Sequence, residues 1–157
     1  MTGRAARVEM QLPSAALMGS SIPLLVEVTA QQERLFVREL YLLIQATERV
    51  RLENIQSNDL IQNQDDDGDI EDAIHDAVTY EEHLTLARDL HLEAGRKQRW
   101  ESTLTLPSDG LPTWEGVHSS HRWTVQARLD VMGADPRSDA MVLNVYAHPD
   151  GLPEDLR

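Results

Sequence analysis

The sequence predicts an all-β protein, an antiparallel β-sandwich carrying one acidic insertion. Three observations lead there. Apolar residues recur at every second position in segment after segment, the period that puts alternate side chains on one face of a strand. Glycine, proline and small polar residues separate these segments at short intervals, as in sandwiches rather than in alternating strand and helix units. The 157 residues are 41% hydrophobic and 26% charged with no cysteine, so an ordinary apolar core, not a disulfide framework, must hold the fold.

The segments follow in order. Val8, Met10 and Leu12 alternate up to Pro13. After the turn-rich stretch PSAALMGSS, Leu24, Val26 and Val28 alternate again, with Glu27 and Thr29 on the opposite face. In FVRELYLLIQATERVRL, Leu40, Leu42 and Ile44 share one face and Tyr41, Leu43 and Gln45 the other. A helix competes there, because neither Gly nor Pro interrupts residues 31–53, but the alternation favours a strand, with residues 50–52 a possible separate one. Leu84 and Leu86, then Leu90 and Leu92, resume the period before the break at AGRKQ. Trp100, Ser102, Leu104 and Leu106 share a face, as do Trp123, Val125, Ala127, Leu129 and Val131, and MVLNVY closes a series of eight or nine short strands.

Charge is concentrated in one block. Residues 53–93 hold thirteen of the 27 acids and one of the fourteen Lys and Arg residues, Arg88, so this stretch carries nearly all of the formal charge of -13. Such a field repels phosphate backbones and attracts cationic partners, which argues against nucleic acid. Within the block, Ile70, Ala73, Ile74, Ala77 and Val78 recur at three- and four-residue spacing, which suits a short amphipathic helix with Asp69 near its start; a loop is the other reading of residues 61–78. The organisation expected is one domain over residues 1–147 and a flexible tail over 148–157, with two prolines and three acids in HPDGLPEDLR. No apolar run reaches 18 residues, so no membrane span is expected. Glu9, Pro13, Gly19, Ser20, Ser21 and Pro23 interrupt any export-type apolar core near the start, and the expected location is cytoplasmic.

The second half carries a family resemblance. LEAGRKQRWESTLTLPSDGLPTWEGVHSSHRWTVQARLDVMGADPRSDAMVLNV resembles the second half of an arrestin-type lobe: a glycine turn at Gly95, a strand ending in Leu106 and Pro107, a second proline with a threonine at Pro112 and Thr113, then a long strand led by the aromatic Trp123. Gly19, IPLLVEVTA and ELYLLIQA follow in the order such a lobe uses. Within that superfamily, LDVMGADPRSDAMVLNV is most similar to bacterial sporulation-control proteins of the SpoOM type, and the likeness spans residues 8–146. It implies an immunoglobulin-like, arrestin-type sandwich and a non-catalytic adaptor or scaffold role. Arrestins have two lobes and this chain has room for one, so regulation through a hinge between lobes does not carry over. Pro107 and Pro112 donate no ladder hydrogen bond, which fits a strand end and an edge connection.

Chemistry is sparse. In NQDDDGDIEDAIHD, placing Gly68 at the sixth position of a calcium loop puts Asn63, Asp65 and Asp67 at the first, third and fifth, with Asp69 adjacent. The twelfth position is Ile74 where a bidentate glutamate belongs, and the flanks read as strands, so a solvated acidic loop is the favoured reading and calcium the alternative. His118 and His121 form an HxxH pair beside Glu115 but are read as exposed loop residues, because a zinc site needs three or four converging ligands. His75, His83, His91 and His148 are read as surface residues. Trp100 and Trp123 lie in phase with core positions; Trp114, in LPTWEG, is read as a loop residue and a candidate partner anchor. No nucleophile elbow, phosphate loop or HExxH motif occurs, and no cofactor is expected.

Two functions follow. The first is an adaptor or scaffold whose protein partner adds a strand to an exposed sheet edge or docks a cationic surface on the acidic block, with Trp114, Asp65, Asp66, Asp67 and Asp69 as contact candidates and homo-oligomers through an unpaired edge a related outcome. The second is a ligand- or calcium-binding sandwich of an extracellular or particle-associated assembly.

Overall fold

The computed structural model describes residues 5–31, 34–52 and 73–156. Nine strands occur among them: β1 (Ala6–Gln11), β2 (Ala15–Leu17), β3 (Ser21–Ala30), β4 (Leu35–Leu52), β5 (Ala73–Leu92), β6 (Lys97–Thr105), β7 (Trp114–Glu115), β8 (Ser119–Asp130) and β9 (Met141–Tyr146). They form two sheets, one ordered β1-β3-β6 and one ordered β2-β9-β8-β4-β5, with β7 on β8. All pairs are antiparallel except β2 with β9, which is parallel. No α-helix occurs among the described residues; two 3-10 turns, Pro149–Gly151 and Glu154–Leu156, follow β9, and Leu152 between them is buried.

The alternation read from the sequence becomes the core. Val8 and Met10 from β1, Leu24, Val26 and Val28 from β3 and Leu104 from β6 meet Leu40, Leu42 and Ile44 from β4, Trp123, Val125 and Leu129 from β8 and Leu143 from β9 in one buried cluster. The opposite positions face solvent, so each sheet has one dry and one wet face. Pro23 sits inside a central strand without cost to the ladder. The last β1 pair is Gln11 with Leu25, so position 23, whose partner side is β1, lies beyond the pairing and its missing N–H leaves no gap.

Two expectations change. Residues 50–52 are not a separate strand; they end the 18-residue β4, and β5 runs for 20 residues, so the strands are not uniformly short. Second, residues 73–78 are extended, not helical: they begin β5 and pair with residues 47–52, from Leu52 with Ala73 to Thr47 with Val78. A three- and four-residue apolar spacing over one short segment cannot nucleate a lasting helix, whereas β4 offers a ready row of main-chain partners. Ile74 and Val78, the face that helix would bury, are 54% and 55% exposed. The pairing of β4 with β5 is interrupted twice, after Leu40 and after Ala46, leaving Leu86 and Thr79 of β5 as extra residues.

Candidate interaction surfaces

The calcium candidates Asn63, Asp65, Asp67 and Asp69, and Asp66 with them, lie outside the described residues. Among the described residues no group of three or more His, Asp or Glu is placed to hold a metal ion. The HxxH pair is split. His118 is exposed, but His121, expected on an exposed loop, is 1% exposed and lies on the inner face of β8, two residues before Trp123. Its phase was legible, since 121, 123, 125, 127 and 129 form one period-two series.

Both nitrogens of His121 are engaged. Nδ1 donates to the Pro112 carbonyl at 2.8 Å, because a carbonyl can only accept, and Nε2 shares a 2.6 Å hydrogen bond with the Thr79 hydroxyl, which also reaches the Ala46 carbonyl at 3.3 Å. Thr79 is the extra residue of a β5 bulge, so the irregularity aims a hydroxyl at a buried ring. Trp114 stacks on His121 with centroids 4.8 Å apart and planes at 15°, and its Nε1 donates to Ser119 Oγ at 3.1 Å. Trp114, expected on a loop, lies in the short strand β7 opposite His121 and is half-buried. Trp123 is fully buried, donates from Nε1 to the Leu111 carbonyl and packs against Tyr80 at 5.2 Å. Burial and the neighbouring Glu82 carboxylate, to which the Tyr80 hydroxyl donates at 2.8 Å, push the Tyr80 phenol up to about 12.

Two further polar clusters sit on the wet faces. On the small sheet, Glu27 is nearly covered: Arg99 donates to Oε1 at 2.7 Å and Lys97 lies 3.3 Å from Oε2, and these hydrogen bonds hold its carboxyl below the usual carboxylate range. On the large sheet, Glu39 of β4 accepts from His83 Nε2 and from Thr85 Oγ1 on β5, again lowering its pKa, while the Tyr41 ring stacks on His83 at 4.0 Å. Both clusters tie neighbouring strands together.

Cavities are open grooves. One of about 810 Å³ lies between β1 and the 133–140 loop, and others of about 570 Å³ and 370 Å³ lie where β1 leaves β3 and beside Phe36 and His91. Sheet edges without a neighbouring strand among the described residues are the more distinctive feature: β1 and β6 bound the small sheet and β5 one side of the large one. The main-chain groups of a strand point alternately to its two sides. Arg51 N donates to the His118 carbonyl, so in β4 the odd residues from 39 to 51 bond toward β8 and the even ones toward β5. Leu129, opposite Leu40, accordingly turns its N–H away from β4, to the Pro136 carbonyl. Between the bulges, Leu42, Ile44 and Ala46 therefore bond Leu84, Glu82 and Tyr80, leaving the N–H and C=O groups of Glu81, His83 and Thr85 on the open edge. Sequence periodicity locates strands but not their order in a sheet, so this edge was not readable in advance.

The architecture is a two-sheet, all-β sandwich. The chain is similar to the crystal structure of Spo0M, the sporulation control protein from Bacillus subtilis, with a TM-score of 0.63 and 23% identity over 92% of this chain and 51% of that one. The resemblance read from residues 8–146 thus holds at the level of the fold, and the chain spans about half the length of the Spo0M chain. No family model matches the chain, and no curated protein does. No helix among the described residues is long and apolar enough to cross a membrane.

Proposed function

We propose that this sandwich is a non-catalytic, cytoplasmic adaptor or scaffold that engages a protein partner along an exposed sheet edge, with the acidic block favouring a cationic surface. The observation that carries the reading is the outer edge of β5, 20 residues of strand with no neighbouring strand among the described residues. Unpaired edges of this length present a template for another chain. The likeness to a protein named for sporulation control supports a regulatory rather than a chemical task. Trp114 is the second contact proposed, because it holds a half-exposed aromatic surface in a fixed orientation on His121.

The test is capture of partners from native lysate on the immobilised full chain, at low and at high salt, with identification by mass spectrometry. A small set of proteins retained at low salt and reduced at high salt supports the reading. Recovery of the same proteins at both salts removes the electrostatic part, and recovery of none removes the adaptor role.

A further inference from the structure

Resting on that adaptor reading and deepening it, we infer that residues 80–85 of β5 form the docking edge, and that its occupant is an extended segment of a protein partner alternating apolar and cationic side chains. The two bulges delimit the site. Between Thr79 and Leu86 the pairing with residues 41–46 is regular for six residues, about 20 Å of strand. Glu81, His83 and Thr85 offer three N–H and three C=O groups along it.

The edge is held in place from both faces. On the wet face Gln45 Nε2 donates to Glu81 at 3.0 Å, and Glu39 accepts from His83 and Thr85. On the dry face Tyr80 and Leu84 pack against the core. A segment laid along this edge pays less ordering entropy on the protein's side.

Charge selects the occupant. Residues 80–85 contain Glu81 and Glu82 but no Lys or Arg, and neither do residues 41–46 opposite. The hydrogen-bond donors to these two carboxylates among the described residues are neutral, the Gln45 amide and the Tyr80 hydroxyl, so no cation among those residues compensates their charges. Alternation then sorts the partner's side chains: one set meets Tyr80, Glu82 and Leu84, the other Glu81, His83 and Thr85. The remaining edges are of different character. Edge strand β6 carries Lys97 and Arg99 on its wet face, and the groove along β1 is walled by the 133–140 loop, with Arg7 and Arg137 lining it. A second copy is disfavoured, because antiparallel pairing centred on His83 brings the two glutamates of each copy into one six-residue ribbon.

The probe is an octapeptide of alternating lysine and valine, titrated into isotope-labelled full chain and followed by amide resonances and hydrogen exchange, with an alternating glutamate and valine peptide as the contrast. The lysine peptide is expected to shift the Glu81, His83 and Thr85 amides and slow their exchange, and the glutamate peptide to do neither. E81K/E82K should weaken the lysine peptide about tenfold or more. His83→Pro removes an N–H that points outward, so it should abolish binding while far-UV circular dichroism stays unchanged. The inference is overturned if the lysine peptide causes no shift, if shifts map to β1 or β6, if both peptides act alike, if E81K/E82K binds as the parent does, or if those amides are already protected in a peptide-free dimer. Each of these results leaves the adaptor reading to the lysate experiment, which fails or succeeds separately.

Discussion

Single side chains in this protein connect surface to core. Thr79 lies at the surface, yet its hydroxyl satisfies His121, and Thr79→Val would leave a buried ring nitrogen without a partner. That orphaned nitrogen should cost about 1–3 kcal/mol in urea denaturation. His118→Ala, three residues earlier on an exposed turn, should stay within about 0.5 kcal/mol of the parent. A comparable loss in both variants would mean that the buried hydrogen bond contributes nothing particular. The motif HxxH suggested that these residues belong together, but on a strand a spacing of three puts two residues on opposite faces, and the in-phase neighbour Trp123 was the better guide to His121. Backbone conformation gives a second test at this scale. Asp89 of β5 has φ of +54°, a region that a side chain bearing Cβ enters at a cost. Asp89→Gly should raise the thermal midpoint, with a gain on the order of 0.5–1 kcal/mol, whereas Asp89→Val should lower it by more than that. The opposite order would show that the Asp89 side chain makes a contact worth more than the strain.

Whole strands show where local pattern suffices and where it does not. The wet and dry faces of β3, β4, β6 and β8 were legible because each strand has one buried face, and a period of two can then be read from residue types alone. The start of β5 was not legible, because Ile74 and Val78 are apolar and exposed together, so neither helical nor strand periodicity reports burial there. What decides residues 73–78 is the presence of β4 alongside, a fact of tertiary pairing. The same distinction governs polar residues between strands. Glu27 on β3 looked like an ordinary outward residue in the sequence, but Arg99 and Lys97 of β6 converge on it. Its folded-state pKa is depressed, so its contribution to stability is present above the unfolded value and is lost as the pH falls below the ordinary 4.5 toward the folded value. Glu27→Gln should therefore be less stable than the parent at neutral pH, and the gap should narrow as the pH falls below the ordinary 4.5 in low salt, measured by urea midpoints across that range. A gap that persists unchanged at low pH would mean that packing of the side chain, not its charge, joins β3 to β6.

For the molecule as a whole, the central question is whether the two sheets are separable. The proposed organisation is one domain over residues 1–147, and the core argues for it: β3 and β6 place Val26, Val28 and Leu104 against Leu42, Ile44 and Val125 of the other sheet, in a single cluster. Neither sheet has a second apolar partner among the described residues, so opening one face exposes both. The topology adds a kinetic consequence. Ile44 of β4 pairs with Val125 of β8, far along the chain, and such non-local pairing places folding in the millisecond-to-second range rather than among fast helical folders. The molecule carries its own reporters, Trp100 on β6 in the small sheet and Trp123 on β8 in the large one. In a variant with Trp114 and Trp123 replaced by Phe, fluorescence follows the small sheet; with Trp100 and Trp114 replaced, it follows the large sheet. Within each variant, the fluorescence and far-UV circular dichroism transitions in urea should share one midpoint and one slope, about 1–3 kcal/mol per molar. If the Trp100 signal is lost at a lower urea concentration than the dichroism signal of the same variant, the small sheet opens alone. The apolar faces of the two sheets would then be a docking interface between two layers of unequal stability.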